Sequence, residues 1–354
     1  MKNKNISTIN TIHFDITEFC NYHCEYCYQG IAKIHKHISE NVYNNFFDFL
    51  SNLKDQFTVH LIGGEPFLYP NFFNMVERIV SMGHKISCTT NFSHSKNILE
   101  KFVSIAKGNI SFIEISIHLT QIKNLDEFID KLLWFKSISY LKFEDFQLNS
   151  IMLEDNFLQI KQLREKIESI GFKLNIQRVF DNNGYCTYSE EIEKWLEINN
   201  CIDIPLYMVI GKDFANVCGV ACRTGNKFFK ILIDGKVTRC FNDQEYGYNL
   251  LGNMNESSEV KILQDYCPCL SVNNKCRCYA GFIKLGQIDI QNKNIYKYKK
   301  IKYFSNLNKK LLKTKMNFLK FLIKNIKSEK LKEKIENKIS KLQYVIDNIL
   351  IYKY

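Results

Sequence analysis

The stretch Asp15-Ile-Thr-Glu-Phe-Cys20-Asn-Tyr-His-Cys24-Glu-Tyr-Cys27-Tyr28 continues the first apolar run of the chain, residues 12–17. It places a loop directly after a predicted strand, where parallel α/β folds carry their active sites. Three thiols spaced CxxxCxxC are able to wrap one face of an iron–sulfur cube, which leaves the fourth iron open for a chelating cofactor. A structural zinc ion is the alternative, with His13 or His23 as its fourth ligand.

Apolar strand-like runs alternate with amphipathic helical runs from residue 12 to about residue 180. The alternation predicts six βα units and a parallel sheet, with strands at 12–17, 57–62, 85–90, 111–118, 146–152 and 172–179. Helices are predicted between them, for example at 39–55 and 156–170, and a further helix after Thr187, which has capping-box spacing to Glu190. A doubly wound sheet and a partial barrel both fit this alternation.

The tetrapeptide Gly63-Gly64-Glu65-Pro66 ends the second predicted strand, one βα unit after the cysteine loop. Two glycines let the backbone approach a ligand closely, and the Glu65 side chain is able to hold a cation such as an amino group. A zinc scaffold has no use for an amino-group site. The motif therefore favours an iron–sulfur cluster with a chelating cofactor.

Together the two motifs resemble those of the radical S-adenosylmethionine (SAM) superfamily, with Tyr26 as the aromatic residue before the third cysteine. The resemblance covers roughly residues 12–185 and implies an α/β fold built as a partial (β/α)6 TIM-like barrel. It implies a 4Fe-4S cluster on the three loop cysteines, with the amino and carboxylate groups of SAM on the open iron. It further implies that residues 63–66 contact the amino group, that Tyr26 lies by the adenine, and that Thr90-Asn91 and Ser116 contact SAM.

The chemistry implied by this resemblance is reductive cleavage of SAM by one electron to methionine and a 5′-deoxyadenosyl radical, which abstracts a hydrogen atom from the substrate. The cofactors carry the difficult step, and the barrel supplies orientation and a shielded cavity. A peptide or protein is the predicted substrate, and a small-molecule donor, flavodoxin or ferredoxin is the predicted electron source. A dehydrogenase or epimerase of a small sugar or metabolite is the alternative enzyme, and a non-catalytic zinc scaffold is the alternative from another class.

Seven further cysteines lie between residues 218 and 278, around a predicted hairpin turn at Asp234-Gly235. The arrangement resembles the SPASM or twitch-like domain, the auxiliary-cluster module of many radical SAM enzymes that modify peptides and proteins. By this resemblance a first auxiliary 4Fe-4S cluster is held by Cys218, Cys222, Cys240 and Cys278. A second, with an open site, is held by Cys267, Cys269 and Cys276. The later spacing departs from the family pattern, so one or two auxiliary clusters are predicted, with a zinc knot as the alternative.

The C-terminal segment is rich in lysine. Residues 297–354 hold 17 lysines and four acids, a charge of +13, which leaves residues 1–296 at −2 out of the net +11. A solvated helical hairpin that packs on the body is predicted, with binding to an acidic peptide or peripheral membrane contact as the alternatives and no nucleic acid as partner. The predicted organisation is a radical SAM core at 10–190, an auxiliary-cluster domain at 210–290 and the basic tail at 300–354.

The chain has thirteen cysteines. Because the cytosol keeps thiols reduced, so many cysteines in a cytosolic protein indicate metal ligation rather than disulfides. Residues 1–10 lack the apolar core of a signal peptide, and no later stretch approaches the ~18 apolar residues of a membrane span. A cytoplasmic protein is therefore expected. Cys88 and Cys201 are predicted core residues and His118 a polar lining residue. Cys186 is a candidate to return a hydrogen atom to a substrate radical, with a small buried hydrophobe as the alternative.

Overall fold

The computed structural model describes residues 10–27, 35–181, 184–199, 221–240, 250–263 and 267–268, and seven separate residues between 314 and 336. The chain divides into two compact units, residues 1–290 and 291–354. In the second unit the seven described residues are all helical. None of the helices that the structure describes has the length and apolar character of a membrane span.

Strands and helices alternate along the first 200 residues. The strands are β1 (Thr11–Thr17), β2 (Thr58–Gly63), β3 (Lys85–Thr90), β4 (Ile110–Ile117), β5 (Phe146–Met152) and β6 (Leu174–Arg178). The helices are α1 (Glu40–Ser51), α2 (Phe72–Ser81), α3 (Lys96–Ala106), α4 (Leu125–Ile138), α5 (Phe157–Ser169) and α6 (Glu190–Ile198), with short 3₁₀ turns at Pro66–Leu68 and Phe143–Asp145. All six predicted strands are confirmed, each to within two residues at either end.

The order of the strands distinguishes the two folds that alternation leaves open. Strands β1 to β6 lie side by side in chain order, and every neighbouring pair is parallel. A doubly wound sheet reverses its strand order at a switch point, whereas a barrel keeps it. The core is therefore a mixed α/β structure with a parallel sheet in the order of a partial TIM-like barrel.

Short strands follow the six βα units. They are β7 (Phe180–Asp181), β8 (Gly184–Tyr185), β9 (Ala221–Cys222), β10 (Phe228–Ile231), β11 (Lys236–Thr238), β12 (Gly252–Asn253) and β13 (Cys267–Pro268). The predicted hairpin is present as the antiparallel pair of β10 and β11. Strand β10 also pairs in parallel with β1, so the described hairpin of the cysteine-rich segment extends the sheet of the core.

Helix α6 begins differently from its prediction. Its N-cap residue is Ser189, two positions after the predicted cap Thr187. The acid that reaches back is Glu193, whose Oε1 accepts from the backbone N–H of Tyr188 at 2.9 Å. The same carboxylate pairs with the Arg178 guanidinium at the end of β6. The predicted capping box from Thr187 to Glu190 is wrong because the tertiary ion pair fixes where the helix starts.

Candidate functional site

The cysteine loop and the glycine turn meet at the C-terminal ends of β1 and β2. Gly64 N donates to Thr17 O at 2.8 Å, and Glu65 N donates to Phe19 O at 2.7 Å. A Cβ atom on Gly63 would lie 2.1 Å from Thr17 O, and one on Gly64 would lie 2.2 Å from Phe19 O. The close approach that these two glycines permit is therefore between two backbone segments of this chain, whereas the sequence pattern predicts an approach to a ligand.

The Glu65 side chain joins the ends of two strands. It is completely buried. Its Oε1 accepts from Thr90 Oγ1 at 2.9 Å and from Phe67 N at 3.3 Å, and its Oε2 accepts from Asn91 N at 2.8 Å. His94 Nε2 lies 3.6 Å from Oε1. Since a carboxylate has about four acceptor positions, most of its capacity is used by protein donors. The role of this carboxylate in holding the amino group stays a prediction.

Replacing Glu65 with glutamine tests this joining role. Both oxygens of Glu65 accept hydrogen bonds, but the glutamine side chain replaces one of them with an NH₂ group. The N–H or O–H that donated to that oxygen therefore loses its acceptor. We expect Glu65→Gln to lower the free energy of unfolding by about 1–3 kcal/mol, measured by chemical denaturation of the full chain. Glu100→Gln is the matched control because Glu100 is exposed, and it should change stability by less than about 0.5 kcal/mol. Equal effects of the two variants would contradict the joining role.

The three thiols of the loop differ in exposure. Cys24 is buried, Cys20 is half-buried and Cys27 is exposed. Burial raises the pKa of the Cys20 thiol, and burial raises the pKa of Cys24 to about 11. A bound metal reverses this preference because it is held by the thiolate form. Within the described part of the chain, no three His, Cys, Asp or Glu side chains converge on a single metal position.

Two N–H groups face Cys20. Tyr22 N donates to Cys20 Sγ at 3.4 Å, and Asn91 Nδ2 approaches the same sulfur at 3.7 Å. Asn91 Nδ2 also donates to Asn21 Oδ1 at 2.8 Å. Hydrogen bonds to a ligand sulfur tune iron–sulfur clusters, and a cluster binds each thiolate through a different iron. The donor set of the loop therefore fits a 4Fe-4S cluster, and Asn91 ties the loop to the end of β3.

The aromatic residues of the loop contact the end of β4. Tyr26 Oη lies 3.0 Å from His118 Nδ1, and the two rings stack with centroids 5.8 Å apart. Tyr22 meets the same imidazole edge to face at 5.8 Å. Burial lowers the pKa of His118 to about 4, so this imidazole is neutral at pH 7. His118 therefore positions the tyrosine that the resemblance assigns to the adenine, and Ser116 lies half-buried two residues before it.

The remaining predicted ligands are only partly described. Cys222 is buried and donates to Thr224 Oγ1 at 3.3 Å, and Cys240 is half-buried just after β11. Strands β9 and β13 place Cys222 opposite Cys267 in an antiparallel register, although the resemblance assigns these two to different clusters. The other predicted auxiliary ligands lie outside the described residues: Cys218, Cys269, Cys276 and Cys278.

Cys186 lies in the segment after β8. Its backbone N–H donates to Val179 O at 3.0 Å, and its carbonyl oxygen accepts from Arg178 Nη1 at 3.1 Å. These contacts fix the backbone, and the thiol is half-buried. A hydrogen-donating role for this thiol stays a prediction.

A polar set of side chains on the inward face of the sheet was not predicted. The residues in register across β10, β1 and β2 are Lys230, His13 and His60, and Thr89 of β3 is in register with Glu114 of β4. The alternate residues of these strands are apolar and buried, such as Ile12, Phe14 and Ile16 of β1. Parallel strands covered on both faces read as continuous apolar runs. A polar residue at every second position was therefore the available signal that one face of this sheet is polar.

Comparisons with known proteins agree with the first motif. Residues 14–131 match the family model of the radical SAM superfamily. An S-adenosylmethionine-dependent nucleotide dehydratase of Fibrobacter sp. (strain UWH6) is 29% identical over 175 residues, which is 44% of this chain and 51% of the relative. An uncharacterized protein of Methanocaldococcus jannaschii is 35% identical over 79 residues, 22% of this chain and 24% of that protein. The match thus spans about half of the length of the Fibrobacter protein and about a quarter of the length of the Methanocaldococcus protein.

The fold of the chain was also compared with solved structures. SuiB of Streptococcus suis bound to SAM superposes with a TM-score of 0.49 at 13% identity, covering 71% of this chain and 64% of SuiB. The structure of anSMEcpe with bound AdoMet and the Cp18Cys peptide gives a TM-score of 0.48 at 14% identity, covering 78% of this chain and 96% of that chain.

Proposed function

We propose that this chain is a radical SAM enzyme that cleaves SAM reductively and removes a hydrogen atom from its substrate. The observation that carries the proposal is the junction of the cysteine loop with the glycine turn, inside the segment that matches the radical SAM model. Two backbone hydrogen bonds hold the loop against the turn, and the Glu65 and Asn91 side chains hold the turn and the loop to the end of β3.

The proposed ligands of the 4Fe-4S cluster are Cys20, Cys24 and Cys27. The proposed SAM contacts are Gly63, Gly64, Glu65, Pro66, Asn91, Ser116 and Tyr26. When bound, the cluster supplies the electron that cleaves SAM, and SAM supplies the group that takes the substrate hydrogen atom. The chain itself orients these partners at the C-terminal end of the sheet and shields them from water.

The cofactor assignment is tested by SAM cleavage. We expect the full chain, reconstituted with iron and sulfide without oxygen and reduced with dithionite, to convert SAM into 5′-deoxyadenosine and methionine, both measured by mass spectrometry. Cleavage without added substrate is sufficient for this test. A protein that holds about four irons per chain or more and forms no 5′-deoxyadenosine would overturn the proposal.

The proposed substrate is a peptide or protein, and one or two auxiliary clusters are proposed beside it. The support is the SPASM-like spacing of Cys222, Gly235 and Cys240 around the hairpin of β10 and β11. A nucleotide is the second candidate, because one relative with 29% identity is described as a nucleotide dehydratase. Adding nucleoside triphosphates to the reduced protein separates them: a several-fold faster formation of 5′-deoxyadenosine favours the nucleotide.

A further inference from the structure

A hydrogen-bond chain crosses three strands and ends on the Glu114 carboxylate. Ser87 Oγ lies 2.8 Å from His60 Nδ1, and Thr89 Oγ1 lies 2.9 Å from His60 Nε2. Thr89 Oγ1 donates to Glu114 Oε2 at 3.0 Å. Because this hydroxyl has one hydrogen, which it donates to Glu114, it must accept from His60 Nε2–H. The direction of both hydrogen bonds of Thr89 is therefore fixed by the carboxylate end of the chain.

Glu114 keeps acceptor capacity on its open side. Asn149 Nδ2 donates to Glu114 Oε1 at 2.6 Å, and Asn175 Nδ2 donates in turn to Asn149 Oδ1 at 3.1 Å. Thr89 and Asn149 thus occupy two of about four acceptor positions, and His60 Nε2 approaches Oε2 to 3.6 Å. The exposed fraction of the Glu114 side chain is 27%. Burial raises the pKa of Glu114, but the hydrogen bonds and charge of His60 and the hydrogen bonds of Thr89 and Asn149 outweigh it, so the pKa lies below its ordinary value.

Lys230 and His13, two basic side chains of the neighbouring strands, do not neutralise Glu114. Lys230 Nζ forms an ion pair with Asp15 on the adjacent strand, so these two charges cancel. Burial, followed by the charges of His60 and Lys230, lowers the pKa of His13 well below its ordinary value, so this ring is uncharged at pH 7. Beside Glu114 itself lies His60, whose Nε2 is 3.6 Å from Glu114 Oε2. The Glu114 carboxylate therefore contributes a negative charge to this part of the barrel that neither Lys230 nor His13 cancels.

We propose that Glu114 binds a positively charged group of the substrate, a primary ammonium or a guanidinium, inside the barrel. The inference deepens the proposed function and rests on it for the substrate's position in the barrel. The cation donates to the remaining acceptor capacity of the carboxylate, whose orientation Thr89 and Asn149 fix beforehand. A phosphate group is repelled by the same carboxylate, so a nucleotide does not place its phosphates here.

Small cations test the site directly. Propylammonium and propylguanidinium are titrated by calorimetry into the anaerobically reconstituted full chain. Propanol is the uncharged comparison, and propionate and methyl phosphate are the anionic comparisons. We expect saturable binding of the cations in preference to the others. Glu114→Gln should weaken cation binding by about ten- to a hundredfold, since a charge-assisted hydrogen bond is lost. Asp126→Asn is the matched control, because it removes a carboxylate that is 80% exposed on α4, and it should leave the affinity unchanged.

A second variant changes the negative charge near Glu114 without altering the hydrogen bonds of His60, Thr89 and Asn149. Gln147 is exposed on β5 in register with Glu114, so Gln147→Glu adds a negative charge beside the site and should strengthen cation binding several-fold. Equal cation affinity of wild type, Glu114→Gln and Gln147→Glu overturns the inference, as does preference for propionate or methyl phosphate, or no saturable binding. A chain that cleaves SAM but fails these tests refutes this inference alone. A chain that passes them but forms no 5′-deoxyadenosine refutes the proposed function alone.

Discussion

Replacing Cys20, Cys24 and Cys27 together with alanine is expected to abolish SAM cleavage and to remove one cluster's worth of iron, about four atoms per chain. The three thiols lie on one loop that is held to the turn at Gly64 and Glu65 by backbone hydrogen bonds. Without them no thiolate remains between residues 20 and 27 to hold the cluster whose open iron SAM would bind. Iron and sulfide analysis and the yield of 5′-deoxyadenosine measure the two effects. Retained formation of 5′-deoxyadenosine by the triple variant would contradict the cluster assignment.

The iron content of the triple variant shows how many auxiliary clusters the chain holds. About four irons per chain indicates one auxiliary cluster, and about eight indicates two. Zinc without sulfide would contradict the SPASM resemblance and favour a zinc knot. Cys88→Ala is the control for removing a thiol, because Cys88 is completely buried among the apolar residues of the core. This control should keep all of its iron and its SAM cleavage, with a loss of stability alone.

The sequence predicts the core strands well because their outward faces are strongly apolar. Ile12, Phe14 and Ile16 of β1 are completely buried, and Ile113, Ile115 and Ile117 of β4 repeat the same alternation. Their spacing gives the strand, and the amphipathic runs between the strands give the crossover helices that a parallel sheet needs. Both signals lie within a single segment, so they can be recognised without knowing which other segments pack against it.

The features that were missed depend on contacts between distant segments. Strand β10 pairs with β1 across more than 200 residues, and no residue in either strand signals its partner. The sequence places Glu65 in a turn motif but does not show the hydrogen bonds that its carboxylate accepts from Thr90 and Asn91 at the end of the next strand. The two glycines predict a close approach to a ligand, whereas the atoms that an added Cβ would meet are Thr17 O and Phe19 O. In each case the sequence gives the local geometry, and the partner is set by the packing of the sheet.

Gly63→Ala is expected to lower the free energy of unfolding by at least about 3 kcal/mol and to prevent assembly of the SAM-binding cluster. The new Cβ would lie 2.1 Å from Thr17 O and 3.1 Å from Thr17 N, at a backbone φ of +144°. The clashing atoms are backbone, so no rotamer change relieves the contact. The turn must move away from the cysteine loop, which breaks the Gly64 N to Thr17 O hydrogen bond. Chemical denaturation, iron content and SAM cleavage of the full chain measure the effect.

Gly83→Ala separates the clash from the backbone strain. Gly83 follows α2 with a φ of +82°, and an added Cβ there meets nothing within 4 Å. Its cost is limited to the left-handed conformation of an alanine, about 1–2 kcal/mol, and the iron content and SAM cleavage should match those of wild type. If Gly63→Ala is no more destabilising than Gly83→Ala, strain alone explains both. If Gly63→Ala instead loses its iron while Gly83→Ala keeps it, the packing of the turn against the loop is what holds the cluster ligands in place.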